Sequence, residues 1–403
     1  MIPKFVRKKF AGVQQPLGRW ILRHVCEFVA LSPAILVTWI WLKVRRKEIL
    51  IIGRFSNSIT MLILPLEPEI RRRKGNHGQL GRTVVLYLSS DANQQIRKMY
   101  DRVVKIYGAE SRIKRRIVWW ASLRFVYRRE LFDDQSDPMW VESGPVLAFT
   151  EEEENRGKQF LDSNGLKPNE FICYTVRSES YYLARIAEGQ VIKPQTIRNP
   201  SESVYLKVAK SLNQEGFDVL RMGKDLNLKL DKTEFPSILD YSSEFRTDFL
   251  DVYLLKHCKY LYCGNAGIIA LRWMWNLPSV TGDSYLIWRN QICYDIFLLQ
   301  RVWLKQKNRL ATFTEMLSLH GYSDEKHQAR LGVELVKNTV EEIKAACDEM
   351  NARIDGTWVT TKEDEDLQRQ YQNLIVKFSN QPTWNGRGRI GAKFLRDNRD
   401  LLR

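Results

Sequence analysis

The sequence predicts an α/β protein: two successive units of alternating strand and helix, with an apolar helix before them and helices after them. Three observations carry this expectation. Short apolar runs recur between longer amphipathic stretches: ILIIG at 49–53, TVVLYLSS at 83–90, then FICYTV, FDVL, SIL and KYLYC between 171 and 263. Runs this short and apolar on both faces fit buried parallel strands. The later runs each stop at residues able to hold a ligand: Arg177, Arg221-Met222-Gly223, Asp240-Tyr241 and Gly264-Asn265. Ligands of open parallel sheets bind beyond the carboxyl ends of the strands, so these residues are expected to converge on one edge. Finally, charge divides the chain. Residues 1–140 hold 27 Lys and Arg against 11 Asp and Glu, whereas 141–403 hold 36 of each, so the whole net charge of +16 lies in the first third.

A chain of 403 residues allows one to three domains with a sizeable core. Its composition is that of a globular protein and excludes collagen-like or disordered classes. The basic first third suits an anionic partner, a membrane or a nucleic acid; a merely solvated basic face is the alternative. The six cysteines (Cys26, Cys173, Cys258, Cys263, Cys293, Cys347) form no CxxC pair and read as reduced thiols of a cytosolic protein. The five histidines show no zinc-ligand spacing, and no metal site is expected.

In chain order, residues 1–48 join basic residues (Arg7, Lys8, Lys9, Arg19, Arg23) to an apolar run over 28–42, closed by Lys43, Arg45, Arg46 and Lys47. A membrane-spanning helix needs about 20 apolar residues, and this run is shorter unless Arg23, His24 and Glu27 join it. Trp20, Trp39 and Trp41 suit a membrane interface. The favoured expectation is a membrane-associated helix, or a helical hairpin kinked at Pro33; a buried core helix and a true span are the alternatives.

Residues 49–165 are expected to form the first α/β unit. Its first strand is ILIIG, and Pro65 and Pro68 are expected to end any helix over the apolar run that follows. Arg71, Arg72, Arg73 and Lys74, with residues 75–81, are expected to form a basic, mobile loop. Asp91 is the expected N-cap of a helix over 92–107 whose inner face carries Ile96, Tyr100, Val103 and Val104. A further apolar segment lies at 117–123. Glu151 to Glu154 open a linking helix that ends near Asn164-Gly165.

The second unit is expected over 166–300. Asn199-Pro200-Ser201-Glu202 reads as a helix start, and the helix stops at Gly216. Strands and helices then alternate to a last short strand at 278–283. Residues 301–403 are expected to be mainly helical, with helical spacing over 331–350 and 363–378.

Two motifs are set aside. Gly386, Gly388 and Gly391 match GxGxxG, but they follow no clear strand and precede no acidic ribose partner. Asp364 and Asp366 form a DxD in an acidic run that opens a helix, where acids complement the dipole. The strand ends remain. A guanidinium such as that of Arg177 or Arg221 offers forked donors to a phosphate, with an interdomain salt bridge as the structural alternative. Gly223 lets backbone approach a ligand, and Asp240 can accept hydrogen bonds from ribose or base. The Gly264-Asn265-Ala266-Gly267 turn is expected to open a helix, whose N-terminus would favour an anion.

The segments ICYTVRSESYY, IRNPSESVYLKVAKSLNQEGFDVLRMG and SILDYSSEFRTDFLDVYLLKHCKYLYCGNAGI, with the tail GRIGAKFLRDNRDLL, resemble a family of bacterial glycosyltransferases linked to surface-polysaccharide synthesis. That family is similar in turn to two-domain GT-B enzymes, including protein O-fucosyltransferases. The resemblance runs over about 171–280, and rests on Arg177, Arg198-Asn199, Arg221-Met222-Gly223 and Asp240-Tyr241. It departs at Asn265, where the family favours Ser or Thr, and at Gly53-Arg54-Phe55.

The resemblance implies two Rossmann-like domains facing a cleft. It also implies a hexosyl- or fucosyl-type transferase whose nucleotide-sugar substrate has its diphosphate held by Arg177, without a metal. Arg221, Asp240, Tyr241, Gly264, Asn265 and Gly267 would line the donor side, and Arg54 the acceptor side. Glu179 is the candidate general base, with an ordinary exposed loop acid as the alternative. Expected partners are a glycan or lipid-linked acceptor and the anionic inner face of the cell membrane. The rival class is a non-catalytic membrane- or nucleic-acid-binding protein; the basic third lacks the interleaved aromatics of RNA modules.

Overall fold

The computed structural model describes residues 17–52, 59–75, 79–88, 92–108, 112–123, 127–131, 139–177, 183, 186–187, 199–224, 230–264, 266–284, 294–319, 325–379 and 388–403. Arg54, Glu179, Arg198, Asn265 and Cys293 therefore lie outside the described residues.

The chain forms two parallel sheets. The first contains β1 (Glu48–Ile52), β2 (Thr83–Tyr87), β3 (Lys105–Tyr107) and β4 (Tyr127–Leu131) in the order β3-β2-β1-β4. The second contains β5 (Ile172–Thr175), β6 (Val219–Met222), β7 (Ile238–Leu239), β8 (Tyr260–Cys263), β9 (Ser279–Ser284), β10 (Ile296–Leu299) and β14 (Arg389–Ile390). Its order is β14-β10-β9-β8-β5-β6-β7, with every neighbouring pair parallel. Both sheets thus run third-second-first-fourth about their own first strand. The order reverses between β1 and β4 in one sheet and between β5 and β8 in the other.

The layers follow from burial. One apolar cluster runs from Leu50 and Ile52 of the first sheet to Cys173, Leu220 and Leu261 of the second, through the helices Ile59–Gly75, Gln94–Val103, Glu151–Ser163, Asp248–His257 and Ile269–Trp275. The two sheets therefore share a helical layer. A second cluster fills the far face of the second sheet, joining Tyr174, Tyr262 and Phe297 to the helices Glu202–Gln214, Val340–Ile354 and Lys362–Ser379. A third joins Ile49, Ile51, Val84 and Leu86 to the outer helices Leu17–Val44 and Arg112–Ala121.

Several local expectations are corrected. The helix Ile59–Gly75 passes through Pro65 and Pro68. Proline removes a backbone donor, but Leu62, Ile63, Leu64 and Leu66 are all fully buried here, and tertiary packing outweighs the local penalty. The basic run at 71–74 is not a loop: it continues this helix, with Arg71 and Arg73 buried against Glu67 and Glu69 one turn earlier. The helix after β2 starts at Gln94, capped by Asn93, whose side chain accepts from the Ile96 N–H at 3.0 Å. The apolar segment at 117–123 is the second half of the helix Arg112–Ala121.

Beyond 284 the chain adds strands as well as helices. The run at 278–283 is followed in the same sheet by β10 and β14. A separate three-stranded sheet comprises β11 (Arg301–Leu304), β12 (Arg309–Leu310) and β13 (Val333–Val336) in antiparallel pairing. The helical spacing read from Leu331 breaks there: Val333–Val336 is extended, and the helix begins at Val340 under a Thr339–Glu342 capping box. Runs of four apolar residues such as Ile296–Leu299 suit either element, and pairing with β9 and β14 decides for strand.

The N-terminal helix Leu17–Val44 is continuous through Pro33 and is not a hairpin. Its segment His24–Val44 is 21 residues long, apolar enough to cross a membrane, and only 11% buried.

Candidate functional site

The candidate site lies at the switch point of the second sheet, beyond the carboxyl ends of β5 and β8. In an open α/β sheet the crossovers leave on opposite faces at this point, which opens a crevice there. Arg177 stands two residues past β5 and is half-buried; Gly264 immediately follows β8. The crossover from β5 returns through the helix Glu202–Gln214, whose start is pressed against Gly264. A Cβ on Gly264 would fall 2.5 Å from Cγ of Pro200, so only glycine fits without displacing the helix start.

The N-cap of that helix is Ser201, one residue beyond the expected proline, and its side chain does not cap the first turn. A helix start leaves N–H groups unsatisfied within the helix and carries the positive end of the dipole. Beside it the Asn199 side-chain oxygen is buried without a hydrogen-bond partner among the described residues. The Asn199 carbonyl accepts from Lys337 Nζ at 2.8 Å. Arg177, Lys337 and a helix start thus bring positive charge to this end of the sheet.

The other predicted donor-side residues divide by their environment. Arg221 is 2% exposed and points inward between two carboxylates, Asp240 at 3.4 Å and Glu202 at the start of the 202–214 helix. It neutralises an acid that would otherwise repel an anion at that helix end. Asp240 is also bound by the Ser242 and Ser243 hydroxyls and the Leu230 N–H. Burial works against its ionised form, but these donors and Arg221 hold its carboxyl below the usual range. Arg221 and Asp240 thus form a buried polar support under the site.

Tyr241 is fully buried, with its hydroxyl donating to Asp251 at 2.9 Å, and belongs to the core. Gly223 has φ 151°, a conformation that L side chains rarely adopt, and turns the chain directly after β6. The turn containing Gly267 runs, as expected, straight into a helix, which begins at Ile269, is N-capped by Ile268 and has seven residues.

The expectations about Gly267 and the first unit meet at one contact. Thr60 Oγ1, at the start of the helix that follows β1, donates to the Gly267 carbonyl at 3.1 Å. The described chain resumes at Ile59, directly after the segment containing Arg54. The contact therefore joins the helix that follows β1 to the turn that follows β8.

Sequence reasoning missed three contributors. Lys337 lies in the loop before the 340–354 helix, far along the chain from Asn199. Tyr205 places its hydroxyl 3.4 Å from the Cys263 carbonyl and 3.3 Å from Asp283 Oδ2, across the ends of β8 and β9. Asp283 exchanges hydrogen bonds with Asn338 at 2.6 and 2.8 Å, and burial raises its carboxyl above its ordinary value. The one available signal was Asp283 itself, a polar residue ending an apolar run. Among the described residues, no group of three or more His, Cys, Asp or Glu side chains is placed to hold a metal ion. Cys173, Cys258, Cys263 and Cys347 are buried free thiols and Cys26 is an exposed one.

No protein-family model and no curated protein matches the chain. Among solved structures, the chain is similar to a glycosyl transferase family 9 protein from Veillonella parvula, at 10% identity and TM-score 0.45, over 76% of this chain and 98% of that one. It is similar to the E. coli ADP-heptose LPS heptosyltransferase II at 13% identity and TM-score 0.39, over 58% of this chain and 84% of that one. A third is the E. coli heptosyltransferase WaaC with ADP, at 10% identity and TM-score 0.33, over 62% and 90%.

Proposed function

We propose that the chain is a glycosyltransferase that binds a nucleotide sugar at the β5/β8 switch point. It transfers a hexosyl or fucosyl-type group to a glycan acceptor in surface-polysaccharide synthesis. The observation that carries the reading is one coincidence: β5, which leads into Arg177, and β8, whose following Gly264 presses on Pro200 at the start of the 202–214 helix, are the neighbours between which the strand order reverses. The sequence resemblance over 171–280 adds the substrate class.

In this reading Arg177 and the helix start hold the donor diphosphate, and Asn199 accepts a hydroxyl of the donor. Transfer breaks the bond between the anomeric carbon and the diphosphate, and the departing oxygens gain charge. Fixed positive groups and a helix dipole stabilise that charge without rearranging, which is how such a site lowers the barrier. Glu179 is proposed to take the proton from the acceptor hydroxyl. The acceptor is proposed to enter from the side of the first unit, with Arg54 as a candidate contact.

Membrane association completes the proposal. The helix Leu17–Val44 is braced from mid-helix to its carboxyl end: Glu27 pairs with Arg116 and Phe28 meets Trp120 at 5.2 Å on the helix Arg112–Ala121, and Ile35 and Leu42 pack with the first sheet. A helix braced this way supports lying on the cytoplasmic face of a membrane, where a lipid-linked acceptor is within reach. The test is turnover: a panel of sugar nucleotides is incubated with the full chain and membrane extract, and release of nucleoside diphosphate is followed. One donor should be consumed in an acceptor-dependent manner. Consumption of none, with vesicle binding retained, favours the non-catalytic binding protein.

A further inference from the structure

The outer helix Arg112–Ala121 packs along the N-terminal helix and leaves a groove of about 300 Å³ between them. Among the described residues, Val37, Thr38, Trp41, Tyr107, Ile117 and Val118 line it, with the exposed Lys114 the charged one. Its lining is mostly apolar, with a lysine at its edge. Arg112, Lys43, Arg45 and Arg46 are exposed nearby in sequence. Glu27, the acid of the N-terminal helix, is taken up by Arg116. Lys43 and Lys47 lie over the rings of Trp39 and Trp41, at 4.8 and 5.2 Å, where aromatic and cationic side chains suit a headgroup layer. The exposed face of the same helix continues the apolar surface outward through Val25, Val29, Leu36, Val37 and Ile40.

We propose that this groove binds a single anionic phospholipid, with an acyl chain between the two helices and the headgroup phosphate at Lys114. An apolar slot with Lys114 at its edge matches a phosphate-headed lipid in both parts, and a neutral lipid in only one. Binding there makes the Arg112–Ala121 helix part of the membrane-docking surface, so the platform is two helices wide. The inference rests on the membrane-lying reading of the N-terminal helix and is independent of the nucleotide-sugar site.

The test uses the full chain on vesicles of phosphatidylcholine with phosphatidylglycerol, the latter carrying a photoactivatable group in its acyl chain. Adducts are mapped by peptide, and flotation of the vesicles is measured in parallel. Expected are adducts within both 37–41 and 107–118, reduced at least fivefold by Lys114→Glu and by the groove-filling Thr38→Trp, with flotation retained. Adducts confined to the outer face of the 24–44 helix overturn the groove while leaving the membrane reading intact. So does an unchanged yield in Lys114→Glu, an exposed position where folding is not at stake. A chain that does not float overturns both. Loss of sugar-nucleotide turnover with adducts intact overturns the proposed enzyme alone.

Discussion

Gly264 and Pro200 are in contact so close that a single added methyl group at Gly264 would stand 2.5 Å from the proline ring. The contact ties the end of β8 to the start of the helix that returns from β5. It therefore fixes the width of the crevice in which the ligand is proposed to sit.

Gly264→Ala should move the helix start relative to Arg177. Misplacement of a binding group by about 1 Å can cost roughly a hundredfold in rate, and overpacking typically costs about 1–3 kcal/mol. Turnover should fall far more than stability, which parallel kinetic assays and thermal melts would show. Equal activity in the variant would mean that this contact does not shape the site.

Arg71 holds the two sheets' helices together. Its guanidinium donates to Glu67 at 3.0 Å, and beyond its own helix to the Ser143, Trp273 and Met274 carbonyls and to Asn276 Oδ1, at 2.9–3.1 Å. It thereby caps the carboxyl end of the 269–275 helix. Arg71→Ala leaves Glu67 buried and several carbonyls bare, so a loss of about 3–5 kcal/mol is expected in denaturant titration. Arg71→Lys should recover little of it, because an ammonium cannot present five donors in a planar fork.

Arg221 serves as a second, internal test. Arg221→Met should lower the melting temperature, because Glu202 and Asp240 lose their shared cation. Any loss of nucleotide affinity should be smaller than that caused by removing Arg177. A variant with unchanged stability and abolished binding would instead make Arg221 a direct ligand group.

Acid sensitivity should track Glu153. Burial disfavours its charge, but hydrogen bonds from Gln95, the Thr150 N–H and Arg102 prevail and hold its carboxyl at about 2. A folded-state value below the unfolded one means stability that is fully present above the ordinary carboxylate range. It is lost as pH falls from 4.5 toward 2. Glu153→Gln should be less stable than the parent by about 2 kcal/mol near neutrality. That gap should close on acidification, as melts across pH would show; a gap independent of pH would contradict the assignment.

Much of the second sheet was legible because parallel strands buried on both faces are written as short apolar runs; β5 and β8 end just before the residues that flagged them, whereas Arg221 lies inside β6. The roles of those polar residues were not legible. Arg221 and Asp240 lie 19 residues apart and satisfy each other, a pairing that depends on β6 and β7 being neighbours. The arginines at 71–73 looked solvent-facing because charge is normally exposed. Their acids at i−4, Glu67 and Glu69, were the available sign of buried pairing. Lys337 could not be found at all, since only the tertiary fold brings it to Asn199.

The most direct test of the account is calorimetric titration of the full chain with UDP, GDP and ADP, repeated on Arg177→Ala. A charge-assisted contact to the diphosphate is worth about 1.5–3 kcal/mol, so one nucleotide should bind the parent and bind the variant at least about tenfold more weakly, with the melting temperature little changed. Binding of none of the three, or equal affinity in the variant, would contradict a nucleotide-sugar site at the end of β5.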